Sequence, residues 1–325
     1  MLIINESEIQ SVYRMKDAME DVTAILKAKT SGGIQNPHRT VLGFPEKQAS
    51  ALYMPSADAD IASVKVVTIF PDNPAQGKPT TQGVILLSDA ANGEHVAMMN
   101  ASYLTRLRTG ALSGIATDHL AKKEAKVLTV IGTGAMAFEQ VLGVIAVRPI
   151  ERIILVNRTP AKAHDFGEKL QAFGVRQAWE VEENVSSAVQ QADVIICATR
   201  SKEPVFNGED LQPGTHINGV GSYLPDMREV DLTTVRRADK IVADDLAGVK
   251  DEAGELIHSA ESGEWSFEEL HAELGEIAAG LKKGRESAEE ITFFKCVGAA
   301  YFDLAVAKGV YARSVKDGAG TEIGI

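Results

Sequence analysis

The chain has 325 residues, 45% of them hydrophobic and 24% charged, with a formal net charge of −12. That length leaves room for two domains that each bury a core. The acidic balance excludes the basic footprint of a nucleic-acid binder and offers a membrane surface nothing to attract.

In chain order, SEIQSVYRMKDAMEDVTAILKAKT carries apolar residues at helical spacing and stops at Gly32-Gly33. Short strand runs follow: RTVLGF, SALYMP, SVKVVTIF and GVILLSD. In DAANGEHVAMM the pair Asn92-Gly93 lies between two apolar runs and predicts a hairpin. ASYLTRLRTGALSGIATDHLA reads as a helix, and its Gly, Ala and Ser content predicts close packing against another element. From about Lys126 strand runs alternate with helical segments: KVLTVIG, ERIILVN, ADVIICAT, THINGVG and DKIVADD. Such alternation predicts a parallel sheet covered on both faces by helices. The last long segment, EEITFFKCVGAAYFDLAVAKGVYARSV, reads as one apolar-rich helix returning to the N-terminal part. The expected fold class is therefore α/β. A Rossmann-type doubly wound domain over 119–299 joins an α+β substrate and dimerisation domain made of 1–118 and 300–325.

Two cysteines, Cys197 and Cys296, without a CxxC spacing imply a reduced compartment. The histidines never fall in HxxxH or HxH spacing, so no metal site is expected. No run approaches a membrane span, and MLIINESEIQ lacks the pattern of a signal peptide, so a cytoplasmic protein is expected.

VLTVIGTGAMAFEQ places Gly132-x-Gly134-x-x-Ala137 directly after an apolar strand and at the start of a helix. The first glycine permits a tight turn, the second lets a pyrophosphate approach the backbone, and the small third residue lets helix and strand pack. Gly132, Gly134, Ala135 and Met136 are the candidate phosphate-loop residues. The next strand run ends in LVNRTPAKA, with Asn157, Arg158, Thr159 and Lys162 where an NAD site usually has a carboxylate for the ribose. A guanidinium can pair with a 2′-phosphate, so NADP(H) is favoured over NAD(H). The less favoured reading makes Arg158 a solvated loop residue, with Thr159-Pro160 capping the next helix.

Three cations stand out earlier: Arg39 at the start of a strand, Lys65 inside an apolar one, and Arg108 in the small-residue helix. Lys65 shares a strand face with Val67 and Ile69, so its ammonium would enter a dry environment. A buried cation needs a partner, and a small anionic substrate could supply one. Snorkelling along the sheet is the other reading.

The segments SVKVVTIFPDN, TTQGVILLSDAANGE, YLTRLRTGALSGIATDHLA, VIGTGAMA, ILVNRT, NGVGSYLPDMREVD and HAELGEIAAGLKKGRESAEEITFFKCVGAAYFDLA resemble the ornithine cyclodeaminase/mu-crystallin family along nearly the whole chain. The resemblance implies a homodimer and a small anionic imino-acid or amino-acid substrate. It makes Arg39 and Arg108 the grip on the substrate carboxylate and puts Lys65 beside the reacting nitrogen, its charge matched by substrate or shed. It also puts Thr80, Ala198, Thr199, Val220, Gly221 and Arg108 near the cofactor. Cys296 falls where the family often has a serine. Members similar to true ornithine cyclodeaminases carry an aspartate at the position of Tyr223. GSYLPDMRE instead resembles members that reduce cyclic imino acids or interconvert amino and keto acids. The expected activity is NAD(P)H-dependent reduction of a small cyclic imino acid such as Δ1-pyrroline-2-carboxylate. The alternatives are an alanine dehydrogenase, an ornithine cyclodeaminase and an NADPH-dependent binding protein.

Overall fold

The computed structural model describes residues 1–324. It divides into two compact units, Met1–Arg108 with the chain from Ala299 onward, and Thr109–Gly298. In chain order the first unit contains β1 (Leu2–Ile4), α1 (Glu6–Val12), α2 (Met15–Thr30), β2 (Thr40–Phe44), β3 (Ala49–Ala57), β4 (Ile61–Ile69), β5 (Thr81–Asp89) and β6 (His95–Asn100). α3 (Ala101–Leu120) then carries the chain into the second unit. That unit holds β7 (Val127–Ile131), α4 (Ala135–Ile145), β8 (Arg152–Val156), α5 (Pro160–Phe173), β9 (Ala178–Val181), α6 (Val185–Gln190), β10 (Val194–Cys197) and β11 (His216–Gly219). It continues with α7 (Leu232–Arg237), β12 (Lys240–Ala243), α8 (Leu246–Glu252), α9 (Gly254–Glu261), β13 (Ala272–Glu273), α10 (Leu274–Ala278) and β14 (Thr292–Lys295). α11 (Ala300–Asp317) and β15 (Thr321–Glu322) belong to the first unit again.

The first predicted helix is two helices. Asn5 and Glu8 form a capping box that starts α1, and the chain turns extended at Tyr13 and Arg14. The Asp17 carboxylate then accepts from the Arg14 backbone N–H and restarts the helix as α2. Ala18, Val22, Ile25 and Leu26 of α2 are buried, at the spacing of one helical face. The sheet of this unit has the order β15-β1-β6-β5-β4-β3-β2, antiparallel from β6 to β2. The predicted Asn92-Gly93 turn joins β5 to β6, with Gly93 at φ +80°, where a glycine is favoured. α11 packs on α2 and over β3 and β4. Lys65 lies on a cross-strand row with Met54 and Ile85, all three buried. The opposite face carries the row Tyr53, Val66 and Val84.

The second unit is an eight-stranded sheet of order β9-β8-β7-β10-β11-β14-β12-β13, parallel throughout. β10, β11, β12 and β14 are buried along their whole length, as a sheet with helices on both faces requires. One apolar cluster lies around Ile195, Ile217 and Phe293, and a second around Leu128, Val130 and Leu155. The chain runs from β7 outward through β8 and β9, then returns to place β10 on the other side of β7. The topological switch point is thus between β7 and β10.

Two expectations are corrected. The C-terminal segment is not one helix: TFFK is β14, inserted between β11 and β12, and the helix begins only at Ala300. Phe293 and Phe294 are aromatic residues that fit a strand buried on both faces, and Gly298, at φ +87°, lies between strand and helix. The contact boundary also falls at 108/109 rather than 118/119, inside α3. The reason lies in the small residues noted in the sequence. A Cβ at Gly110 would strike the backbone of Glu139 on α4, and one at Gly143 would strike the Gly110 carbonyl. The second half of α3 therefore packs backbone to backbone on α4.

Candidate functional site

In the first unit, β4 places Lys65 beneath α11 and α3 places Arg108 beside it. Both are buried, and both point at Asp303 in the first turn of α11. The Lys65 ammonium donates to Asp303 Oδ2 at 2.5 Å, and Arg108 Nε donates to Oδ1 at 3.4 Å. Thr105, one turn before Arg108, bridges the group: its Oγ1 accepts from Lys65 Nζ at 3.4 Å and donates to Asp303 Oδ1 at 3.4 Å. Arg39 sits half-buried immediately before β2. Burial lowers the Lys65 pKa to about 8, and the positive charges of Arg108 and Arg39 push the same way while Asp303 opposes them. For Asp303, burial alone would raise the carboxyl, but the charges of Lys65 and Arg108 outweigh it and hold the group below the usual carboxylate range.

The three predicted cations therefore act on one another electrostatically. The expectation about Lys65 is corrected in one respect: its counter-charge is built into the chain as Asp303, not left to be supplied by substrate alone. Sequence reasoning passed over Asp303, although a single aspartate in the apolar run AYFDLAVA was a visible signal. Thr105 carried no signal of its own. Thr80 lies just before β5, where its carbonyl accepts from the Phe70 N–H at 2.8 Å.

In the second unit, the predicted phosphate loop lies between β7 and α4. Gly132 has φ +92°, and a Cβ there would overlap Thr199 and Ala198, which follow β10. Gly134 is the N-cap of α4, and nothing lies within 4 Å of where its Cβ would be. The protein's own packing does not demand that glycine, and the backbone there is open to close approach. Ala135 and Met136 open the helix, and Ala137 is fully buried against the sheet. At the end of β8, the Asn157 amide donates to Thr133 Oγ1 at 2.7 Å while its oxygen accepts from the Thr159 N–H at 2.9 Å, fixing that loop. Thr159 is the N-cap of α5 without a side-chain cap bond, and Arg158 and Lys162 are exposed.

The floor of this site has a part the sequence did not reveal. The buried Glu229 carboxylate accepts from the N–H and hydroxyl of Thr199 at 2.5 and 2.8 Å, and from the N–H groups of Gly221 and Ser222 at 2.7 and 3.2 Å. It ties the chain after β10 to the chain after β11, and a Cβ at Gly221 would collide with Thr199. Beneath it, Lys295 donates to the Ser222 carbonyl at 2.7 Å and pairs with Glu255 at 2.9 Å, both charges being wholly buried. Val220 continues β11, its N–H donating to the Cys197 carbonyl. Cys296 is buried at the end of β14, and its side chain is hydrogen-bonded to Asp244. Tyr223 is half-buried, while Asp226 is exposed and paired with Lys202 at 2.7 Å.

A parallel sheet with a glycine loop at its switch point defines a Rossmann-type dinucleotide-binding fold. The profile of the Ornithine cyclodeaminase/mu-crystallin family matches residues 1–318, and the chain belongs to that family. It is 41% identical to a Delta(1)-pyrroline-2-carboxylate reductase of Bacillus cereus, with 99% of each chain covered. Among solved structures, it is similar to the Delta(1)-pyrroline-2-carboxylate reductase of Thermococcus litoralis in complex with NADH and L-proline. That likeness has a TM-score of 0.95 and 37% identity, covering 99% of this chain and 100% of the other. An archaeal alanine dehydrogenase dimer with bound NAD follows at TM-score 0.93 and 35% identity, covering 100% of this chain and 99% of the other.

Proposed function

We propose that the chain is an NAD(P)H-dependent imine reductase that converts Δ1-pyrroline-2-carboxylate, or a closely related cyclic imino acid, to the corresponding amino acid. The observation that carries this reading is the gathering of Lys65 and Arg108 around Asp303, with Arg39 acting on the same lysine. Such a cluster suits a small carboxylate whose neighbouring nitrogen must be kept positive. The similarity to reductases of that imino acid supports the choice of substrate.

Arg39 and Arg108 bind the carboxylate and orient the ring. Lys65 keeps the imine nitrogen protonated, which makes the C=N carbon electrophilic. A dinucleotide held by the glycine loop would supply the hydride for that carbon. The C=N π pair ends on nitrogen, the carbon gains hydrogen, and the products are the cyclic amino acid and oxidised cofactor. Gly132, Gly134, Ala135 and Met136 would hold the pyrophosphate. Thr80, Arg108, Ala198, Thr199, Val220, Gly221 and Cys296 would border the rest of the cofactor. NADPH is the favoured form: β8 is followed by Asn157 rather than a carboxylate, and Arg158 with Lys162 would meet a 2′-phosphate. The pairing of Asp226 with Lys202 at the surface speaks against that carboxylate serving a cyclodeaminase in place of Tyr223.

The working unit is a homodimer. Leu42, Tyr53 and Val84 on the face of the first sheet away from α11 are 49%, 38% and 46% exposed, and a second copy would cover them. Two buried cysteines held as thiols fit a cytoplasmic setting. Among the described residues no helix is long and apolar enough to cross a membrane.

The test is NADPH oxidation, followed by absorbance, with freshly prepared Δ1-pyrroline-2-carboxylate near neutral pH. Rapid oxidation with proline as product is expected. Oxidation only with pyruvate and ammonia would replace the reading by an alanine dehydrogenase. Cofactor binding without oxidation of either would replace it by a binding protein.

A further inference from the structure

Asp303 comes from a part of the chain far from Lys65 and Arg108, on α11, yet it bonds both of them. Besides Asp303, the charged groups that act most on the Lys65 ammonium are cations: Arg108 from α3 and Arg39 from the segment before β2. The environment is dry, since Lys65 is 3% exposed and the Asp303 side chain is wholly buried. In such a place a lysine between two guanidinium groups sheds its proton unless a carboxylate holds it. Asp303 also limits where the ammonium can go. Oδ2 takes one Lys65 N–H, and Thr105, itself bonded to Oδ1, takes another.

We propose that Asp303 is a positioning residue for the imine reduction, fixing the Lys65 ammonium at one point and keeping it charged until substrate arrives. This rests on the reductase reading for its chemistry. The arrangement itself is an electrostatic claim about the free protein and has its own readout. A merely structural Asp303 would tie α11 to the sheet and leave the Lys65 proton equilibrium where it is.

Two measurements on Asp303→Asn separate these. The first is the pH dependence of kcat/KM for Δ1-pyrroline-2-carboxylate. Its alkaline limb should move at least one pH unit lower than in the wild type, with kcat at neutral pH down by tenfold or more. The KM for NADPH should stay within about twofold. A limb that stays in place, with equal loss of activity at every pH, would overturn the proposal.

The second needs no turnover: melting temperature against pH for wild type, Asp303→Asn and Asp303→Asn/Lys65→Met. The single variant should begin to gain stability on raising pH at a lower pH than the wild type does. The double variant, which removes Lys65 and Asp303 together and leaves Arg108 as the buried cation, should lose that dependence. Coincident wild-type and Asp303→Asn profiles would overturn the proposal even if the enzyme reduced no imine. The predicted profiles in a protein inactive on every imino acid would sustain the Lys65–Asp303 coupling while removing its assignment to imine reduction. If Asp303→Asn does not fold, the double variant and Asp303→Glu, which retains the carboxylate, carry the same comparison. A limb moved by Asp303→Glu as far as by removal of the charge would overturn it.

Discussion

Replacing Lys65 by methionine keeps the stem beside Met54 and Ile85 and removes the ammonium. If that group holds the imine proton, kcat should fall by about 10²-fold or more, while cofactor affinity measured by fluorescence titration stays close to wild type. Unchanged turnover would remove Lys65 from the chemistry. With the Lys65 pKa lowered to about 8, the acid form is lost as pH rises, so kcat/KM of the wild type should decline above that pH. The same shift has a stability sign. The folded value lies below the unfolded one of about 10.4, so between the two the unfolded chain binds more protons. The contribution of this group to stability therefore rises with pH across that window, and melting curves of Lys65→Met should lack the rise. At the other site, Arg158→Ala should raise the KM for NADPH by about tenfold or more, the scale of one lost charge-assisted bond, and leave that for NADH nearly unchanged. Equal effects on both cofactors would make Arg158 a solvated loop residue.

At the scale of elements, the crossing of α3 and α4 depends on two glycines rather than on a hydrophobic seam. Gly110 and Gly143 admit no Cβ without moving the facing backbone. Gly143→Ala should destabilise the second unit by about 1–3 kcal/mol, the usual cost of overpacking. Calorimetry should show this as a fall in Tm of roughly 2–4 °C per kcal/mol. A Tm equal to wild type would mean that the helices separate freely. The richness of this helix in small residues was legible, but its partner was not: nothing local to RTGALSGIATDHL points to residues 139–143. The Asn92-Gly93 hairpin and the β7-loop-α4 fingerprint were legible because each is specified within a few residues. The strand TFFK was not. Its apolar residues continue past Lys295 and Gly298 into those of α11, and so short an apolar stretch has no period that separates a doubly buried strand from a helix.

For the whole molecule, the uncovered face of the first sheet should decide assembly. Tyr53 and Val84 flank Val66 on one cross-strand row, so a charge placed there would be buried on dimerisation. Tyr53→Glu combined with Val84→Glu should halve the mass found by light scattering coupled to size exclusion. A wild-type mass for the variant would place any dimer contact elsewhere.

What the sequence determined by itself is whatever a short stretch of chain specifies. That covers the glycine loop after β7, the alternation that makes a parallel sheet, the lysine that interrupts an apolar strand, and the family. Only the tertiary structure joined distant residues. Asp303 meets Lys65 because α11 packs over β4, and Glu229 holds Thr199 to Gly221 because β10 and β11 are neighbours. The physical reason is one of range. Backbone preference and hydrophobic period act over a few residues, whereas a buried charge must be matched by whichever group the fold brings within hydrogen-bonding distance.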